Sequence, residues 1–81
     1  MKAQVIVKLK QGVLDPQGVA IGKSLSTLGF QGVNSVRQGK IFEIDLNASD
    51  EKSAKDELQK MSEKLLANPV IEDFEIKVSA S

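Results

Sequence analysis

The 81-residue chain contains no cysteine and no histidine. Without cysteine there is neither a disulfide nor a thiolate metal site, and a reducing compartment is compatible with the sequence. Without histidine, the usual neutral-pH general base and the commonest metal ligand are missing together, which leaves carboxylates, lysines and hydroxyls for any chemistry. A self-contained active site is therefore not expected. Tryptophan and tyrosine are absent as well, and the aromatics reduce to Phe30, Phe42 and Phe74, too few for the stacking platform of a single-strand nucleic-acid binder. Neither sign of charge is in excess, with 11 basic against 11 acidic residues, so there is no field of the kind that neutralises a phosphate backbone. No apolar run approaches membrane-spanning length, and Lys8 and Lys10 interrupt any signal-peptide core in "MKAQVIVKLKQG". These absences predict a cytoplasmic protein with no nucleic-acid partner, no membrane association, and no metal or cofactor bound by this chain alone.

What is present is patterned. From Ala3 to Lys10, Ala3, Val5, Val7 and Leu9 alternate with Gln4, Ile6, Lys8 and Lys10, the period-two signature of a half-buried strand. Asp15 is placed to cap a helix and Pro16 to occupy its first position, where a missing N–H is no loss. The apolar stripe Ile21, Leu25 and Leu28 then predicts a core-facing helix that Gly29 ends in a left-handed conformation. Gly18 and Gly22 weaken that helix but allow another backbone to come close. The stretch "VNSVRQGKIFEIDLNA" reads as two strands joined at Gln38 and Gly39. A second helix opens at Ser49 or Asp50, repeats Ala54, Leu58, Met61 and Leu65 on one face, and stops at "ANPV". A last strand, Ile71 to Val78, turns Phe74, Ile76 and Val78 inward.

The expected fold is thus α+β: a ferredoxin-like βαββαβ order in a single domain spanning residues 1–81, with a four-stranded antiparallel sheet and two helices on one face. The chain is near the lower size at which a core alone sustains folding. With Ile6 and Ile41 on the open face, self-association of at least a homodimer is expected.

Three stretches are candidate contact sites. "DPQG", comprising Asp15, Pro16, Gln17 and Gly18, chiefly starts a helix, and as an anion site it would be opposed by its own carboxylate. "VRQGK" sets Arg37, the only arginine, three residues from Lys40 across an expected tight turn at Gly39. Two cations at a hairpin tip can grip a carboxylate or phosphate of a partner; the alternative is a solvated turn. Of the adjacent leucines Leu65 and Leu66, only one can point straight into the core, which makes Leu66 an interface candidate. No metal spacing, nucleophile elbow or phosphate-cradling glycine loop occurs, so no catalytic residue is assigned.

Taken together, "VLDPQG" after the first strand, "VRQGK" leading into "IFEIDL", and "EKLLANPVIEDFEI" near the end resemble the PurS subunit of phosphoribosylformylglycinamidine synthase over nearly the whole chain. Where relatives often carry a cysteine just before "EKLLAN", this chain has Ser62. The resemblance implies a small non-catalytic subunit that bridges a large synthetase subunit (PurL) and a glutaminase subunit (PurQ). It implies that ATP and Mg are used by the synthetase subunit, and that the complex converts formylglycinamide ribonucleotide, ATP and glutamine to formylglycinamidine ribonucleotide in purine biosynthesis. It further implies support of ammonia transfer, and self-association as a homodimer with a tetramer as the larger alternative. The same element order also serves ACT-type domains that sense amino acids, the runner-up reading. An acylphosphatase-like hydrolase would want an arginine in the loop after the first strand, and "KQGVLDPQG" has none. An RNA-recognition domain would want exposed aromatics on the central strands, and the first strand has none.

Overall fold

The computed structural model describes residues 1–79. Its elements are β1 (Lys2–Leu9), α1 (Pro16–Thr27), β2 (Gly39–Asp45), α2 (Glu51–Met61) continued by a π-helical turn (Ser62–Leu66), and β3 (Glu72–Ser79). β1 lies at the centre of an antiparallel sheet in the order β2-β1-β3. The register pairs Val5 with Phe42 on one side and with Ile76 on the other, so the residues that alternate inward on all three strands share one face. α2 covers that face. Ala3, Val5, Val7, Leu46, Ala54, Leu58 and Ala67 form the buried cluster, with Phe42, Ile44, Met61, Leu66, Phe74, Ile76 and Val78 packed around it.

The expected four-stranded sheet with two helices on one face is not what forms. Among the described residues the sheet has three strands, and residues 30–38 run to β2 without regular secondary structure. No turn forms at Gln38–Gly39. The positive backbone φ angles among the described residues belong to Gly12 and Gly29, so Gly39 lacks the left-handed conformation that a tight hairpin turn would use. Only α2 packs on the sheet. Gly18 is the buried residue of α1, and no α1 residue joins the core cluster. Ile21 and Leu28, expected to face the core, are exposed. α1 and residues 30–38 form an arm instead. Its effect on shape is plain: the radius of gyration is 16.0 Å and the molecule measures 50 × 28 × 14 Å, whereas a compact chain of this length has a radius of gyration of about 12 Å.

The helix ends obey the local rules. Asp15 caps α1 with Pro16 at its first turn. At its far end the Phe30 amide donates to the Leu25 carbonyl at 3.0 Å beyond Gly29 at φ 101°, a left-handed glycine cap. Asp50 caps α2, its carboxylate accepting the Ser53 amide at 2.8 Å, and Glu51 and Lys55 sit 4.0 Å apart along the outer face.

The α2 stripe holds for Ala54, Leu58 and Met61 but not for Leu65, which is 83% exposed. The Ala67 amide donates to the Ser62 carbonyl at 2.9 Å, five residues back, and this wider turn shifts the inward position by one residue. Leu66 takes the place against the core. Ser62 becomes fully buried, its hydroxyl donating to the Leu58 carbonyl at 2.8 Å.

Candidate functional site at the base of the arm

Where β1 ends and β2 begins, the arm is joined to the sheet by two side chains that the sequence had singled out. The Asp15 carboxylate is buried and accepts two backbone amides, Gly18 at 2.9 Å and Gln38 at 2.7 Å. One bond caps α1; the other ties the start of the arm to its end. Arg37 lies beside it, its Nη2 donating to the carbonyls of Leu9 and Lys10, each at 3.0 Å. The arginine therefore spans from the end of the arm to the end of β1. The close backbone approach expected at the helix glycines is realised at Gly18, where an added Cβ would overlap the Val36 carbonyl, but not at Gly22, where it would make ordinary contact with a Val36 methyl at 3.8 Å.

Lys40 and Gly39 complete this end of the sheet. Lys40 Nζ lies 3.9 Å from Glu72 on β3 and 5.8 Å from the centre of the Phe42 ring. Glu72 in turn accepts the Asn68 amide at 2.7 Å. Gly39 runs close to β1: a Cβ there would meet the Val7 carbonyl at 2.8 Å. Asp15, Gln17, Gln38, Gly39, Lys40 and Glu72 line a shallow cleft of about 230 Å³. The structure thus brings "DPQG" and "VRQGK" together at one place. Pro16 and Gln17 are exposed on its rim. Leu66 is not part of it: it is half-buried against the core at the end of the π turn. Sequence reasoning missed Gln38 and Val36 as parts of this site, whose backbone groups meet Asp15 and Gly18 from far along the chain, and Glu72, which pairs with Lys40 from another strand.

Electrostatically the cleft is balanced. The Gln38 and Gly18 amides hold the Asp15 carboxyl below its ordinary value of 3.8, against the opposing effect of burial and with help from the Arg37 charge. A depressed carboxyl stabilises the fold fully above its ordinary pKa, and the contribution is lost as pH falls through the folded-state value. Asp50, held down by Ser53, behaves alike. Asp15→Asn is expected to lower the melting midpoint at pH 7 by roughly 5 °C, because the new amide group turns N–H donors toward one of two N–H donors. It should also flatten the acid-side loss below about pH 4, leaving the part due to Asp50. Thermal melts of both proteins from pH 7 to pH 2.5 check this; an unchanged acid limb would contradict a stabilising role for the Asp15 bonds to Gly18 and Gln38.

Among the described residues no group of three or more carboxylates is placed to hold a metal ion, and no helix is long and apolar enough to cross a membrane. Asp15 and Arg37 are engaged with backbone groups of their own chain and an apolar arm projects uncovered from a small sheet, an arrangement suited to assembly with other chains. The comparisons agree. A family model described as PurS, phosphoribosylformylglycinamidine (FGAM) synthase, matches residues 2–80. The PurS subunit of Methanocaldococcus jannaschii is 49% identical over 77 residues, covering 95% of this chain and 93% of that one. Its crystal structure, described as one of the subunits of formylglycinamide ribonucleotide amidotransferase in the purine biosynthetic pathway, superposes with a TM-score of 0.89 over 96% of this chain and 94% of its own. A chain of the PurLQS structure from Thermotoga maritima matches with a TM-score of 0.86 at 30% identity, covering 94% of this chain and 93% of that chain. The chain belongs to the PurS family, subunits of FGAM synthase in purine biosynthesis. The amino-acid-sensing alternative finds no support in these matches.

Proposed function

We propose that this chain bridges the glutaminase and synthetase subunits of FGAM synthase, PurQ and PurL, and supports the transfer of ammonia between them. The observation that carries the reading is the near full-length likeness to a chain of the PurLQS structure, joined to a sequence without histidine or cysteine. In this reading the glutaminase subunit hydrolyses glutamine to glutamate and ammonia. The synthetase subunit, using ATP and Mg, activates the amide oxygen of formylglycinamide ribonucleotide, and ammonia displaces it to give formylglycinamidine ribonucleotide, ADP and phosphate. This chain does none of these steps itself. Its contribution is contact: surfaces that exclude bulk water and carry few free carboxylates keep ammonia from being trapped as ammonium. The contact residues we assign are those of the arm base, Asp15 to Gly18 with Arg37, Gly39 and Lys40, together with Leu66. The protein works in the cytoplasm and self-associates, as a homodimer or a tetramer.

Sedimentation of the two larger subunits with and without this chain tests the bridge. A species containing all three is expected only when this chain is present, and Arg37→Ala should weaken it roughly tenfold without unfolding the sheet, since the arginine bonds backbone carbonyls at the rim rather than the core. Equal association of the two larger subunits without this chain would overturn the reading.

A further inference from the structure

The turn from α2 into β3 holds a group of apolar residues outside the core cluster. Residues 65–71, read LLANPVI, contain no ionisable side chain, although charged residues make up 27% of the chain. Leu66 and Ala67 belong to the core and its packing. Leu65 and Val70 are 83% and 78% exposed, Ile71 is 39% exposed, and Pro69 is exposed as well. Hydrogen bonds fix this turn. The Asn68 side-chain oxygen accepts the Val70 amide at 3.0 Å, and the Asn68 amide donates to the Glu72 carboxylate at 2.7 Å. The Asn68 carbonyl accepts the Ile71 and Glu72 amides at 3.1 and 2.8 Å, and the Lys10 amide donates to the Ile71 carbonyl at 2.8 Å, joining the turn to the end of β1. Apolar side chains held in water by a bonded backbone contribute little to their own fold, and they bind a partner at a reduced ordering cost.

We infer that this turn is the apolar anchor by which the chain docks into a pocket of the synthetase subunit. The inference rests on the bridging reading and adds to it a contact outside the arm base. Area selects the kind of partner: the four exposed side chains offer on the order of 400 Å², and two such patches face to face about 800 Å², below the roughly 1,200 Å² of the smaller stable interfaces. A second copy that met the patch through a different surface would make a head-to-tail contact, which propagates unless its rotation closes. A patch of this size serves instead as the centre of a larger interface, seated in a pocket with polar groups around it. Glu72, next in the chain, and Lys40, 3.9 Å from it, supply polar groups at the edge of the patch. Pockets form preferentially between domains, and the synthetase, as the large subunit, is the partner whose size implies several of them.

The test titrates the synthetase subunit with the whole chain, in the presence of ATP, Mg and glutamine, and follows the complex by sedimentation velocity. Val70→Glu should weaken the complex roughly hundredfold, and Leu65→Glu should repeat the loss from the other end of the turn. Val70→Leu, which keeps the patch apolar, should bind as the unmodified chain does. Lys52→Gln makes the same change of net charge at an exposed position of α2 and should also leave binding unchanged. Circular dichroism is expected to show every variant folded, because Leu65, Val70 and Lys52 lie outside the core cluster. Binding of Val70→Glu and Leu65→Glu as tight as that of the unmodified chain would overturn the inference and leave the bridging reading standing. Two further results would overturn it: a loss of binding to the glutaminase subunit rather than to the synthetase, or a changed oligomeric state of Val70→Glu on its own, which would place the patch between copies. An unmodified chain that binds neither larger subunit, alone or together, would overturn the bridging reading and this inference with it.

Discussion

Leu58→Ala is expected to cost about 2–5 kcal/mol and to lower the melting midpoint by roughly 10–30 °C. Leu58, in α2, is fully buried and shares one buried cluster with the β1 residues Val5 and Val7, which are themselves closed to solvent. Truncation removes apolar burial and leaves a cavity that a thin two-layer fold collapses around only in part. A small domain has a total stability of about 5–15 kcal/mol at most, so the variant should be largely unfolded at the upper end of that cost. Thermal melts at one fixed protein concentration measure it, because self-association makes the midpoint concentration-dependent. A shift of less than about 3 °C would mean that α2 on the sheet is not the centre of the fold.

Gly18→Ala is the second large effect, and it acts in a different place. The added Cβ would overlap the Val36 carbonyl and come within 3.0 Å of the Asp15 carboxylate. Val36 presents backbone there, which cannot swing aside as a flexible side chain does. Either α1 or the returning segment must move, and with it the bond from Gln38 to Asp15. The net cost is about 1–3 kcal/mol after the gain in helix propensity from alanine. Gly22→Ala serves as its counterpart: its Cβ would make ordinary contact with Val36 at 3.8 Å, so it should stabilise by about 0.5–1 kcal/mol. Hydrogen exchange distinguishes the two. In Gly18→Ala the Gln38 amide should lose protection while the β1 amides keep theirs; loss across the whole sheet would show that the arm base and the core are one cooperative unit.

Much of this fold was legible because its signals are local. Asp15, Pro16 and Gly29 mark the ends of α1 through bonds to residues at most five positions away, and the alternation in β1, β2 and β3 assigns their inward faces. What failed was the partner of each apolar surface that lies outside the strands and α2. The stripe Ile21, Leu25 and Leu28 states that a helix face is apolar, but not whether its own sheet covers it. The expected extra strand before Gly39 had strand-like composition, yet its residues are used at Gly18, Leu9 and Lys10 instead. Leu65 and Leu66 exchanged places because a π turn widens the helix by one residue, and no side chain in "SEKLL" announces it.

The candidate site was half legible in the same way. Asp15 was read as a cap, which it is, but its second oxygen reaches Gln38 across 23 residues. Arg37 stood out as the single arginine and was read as a free cation on a hairpin tip. Its partners are two carbonyls 27 and 28 residues earlier, and such pairings leave no trace in spacing. The two stretches drew attention as separate motifs; the structure makes them two halves of one joint.

A turnover measurement tests the coupling role of this chain most directly. Synthetase and glutaminase subunits are supplied with formylglycinamide ribonucleotide and ATP, with and without this chain, and with either glutamine or free ammonium as nitrogen source. Glutamine-dependent synthesis that requires this chain, beside ammonium-dependent synthesis that does not, is the predicted result and marks a subunit that couples two sites without taking part in the chemistry of either. Glutamine-dependent synthesis at the same rate in its absence would contradict the account.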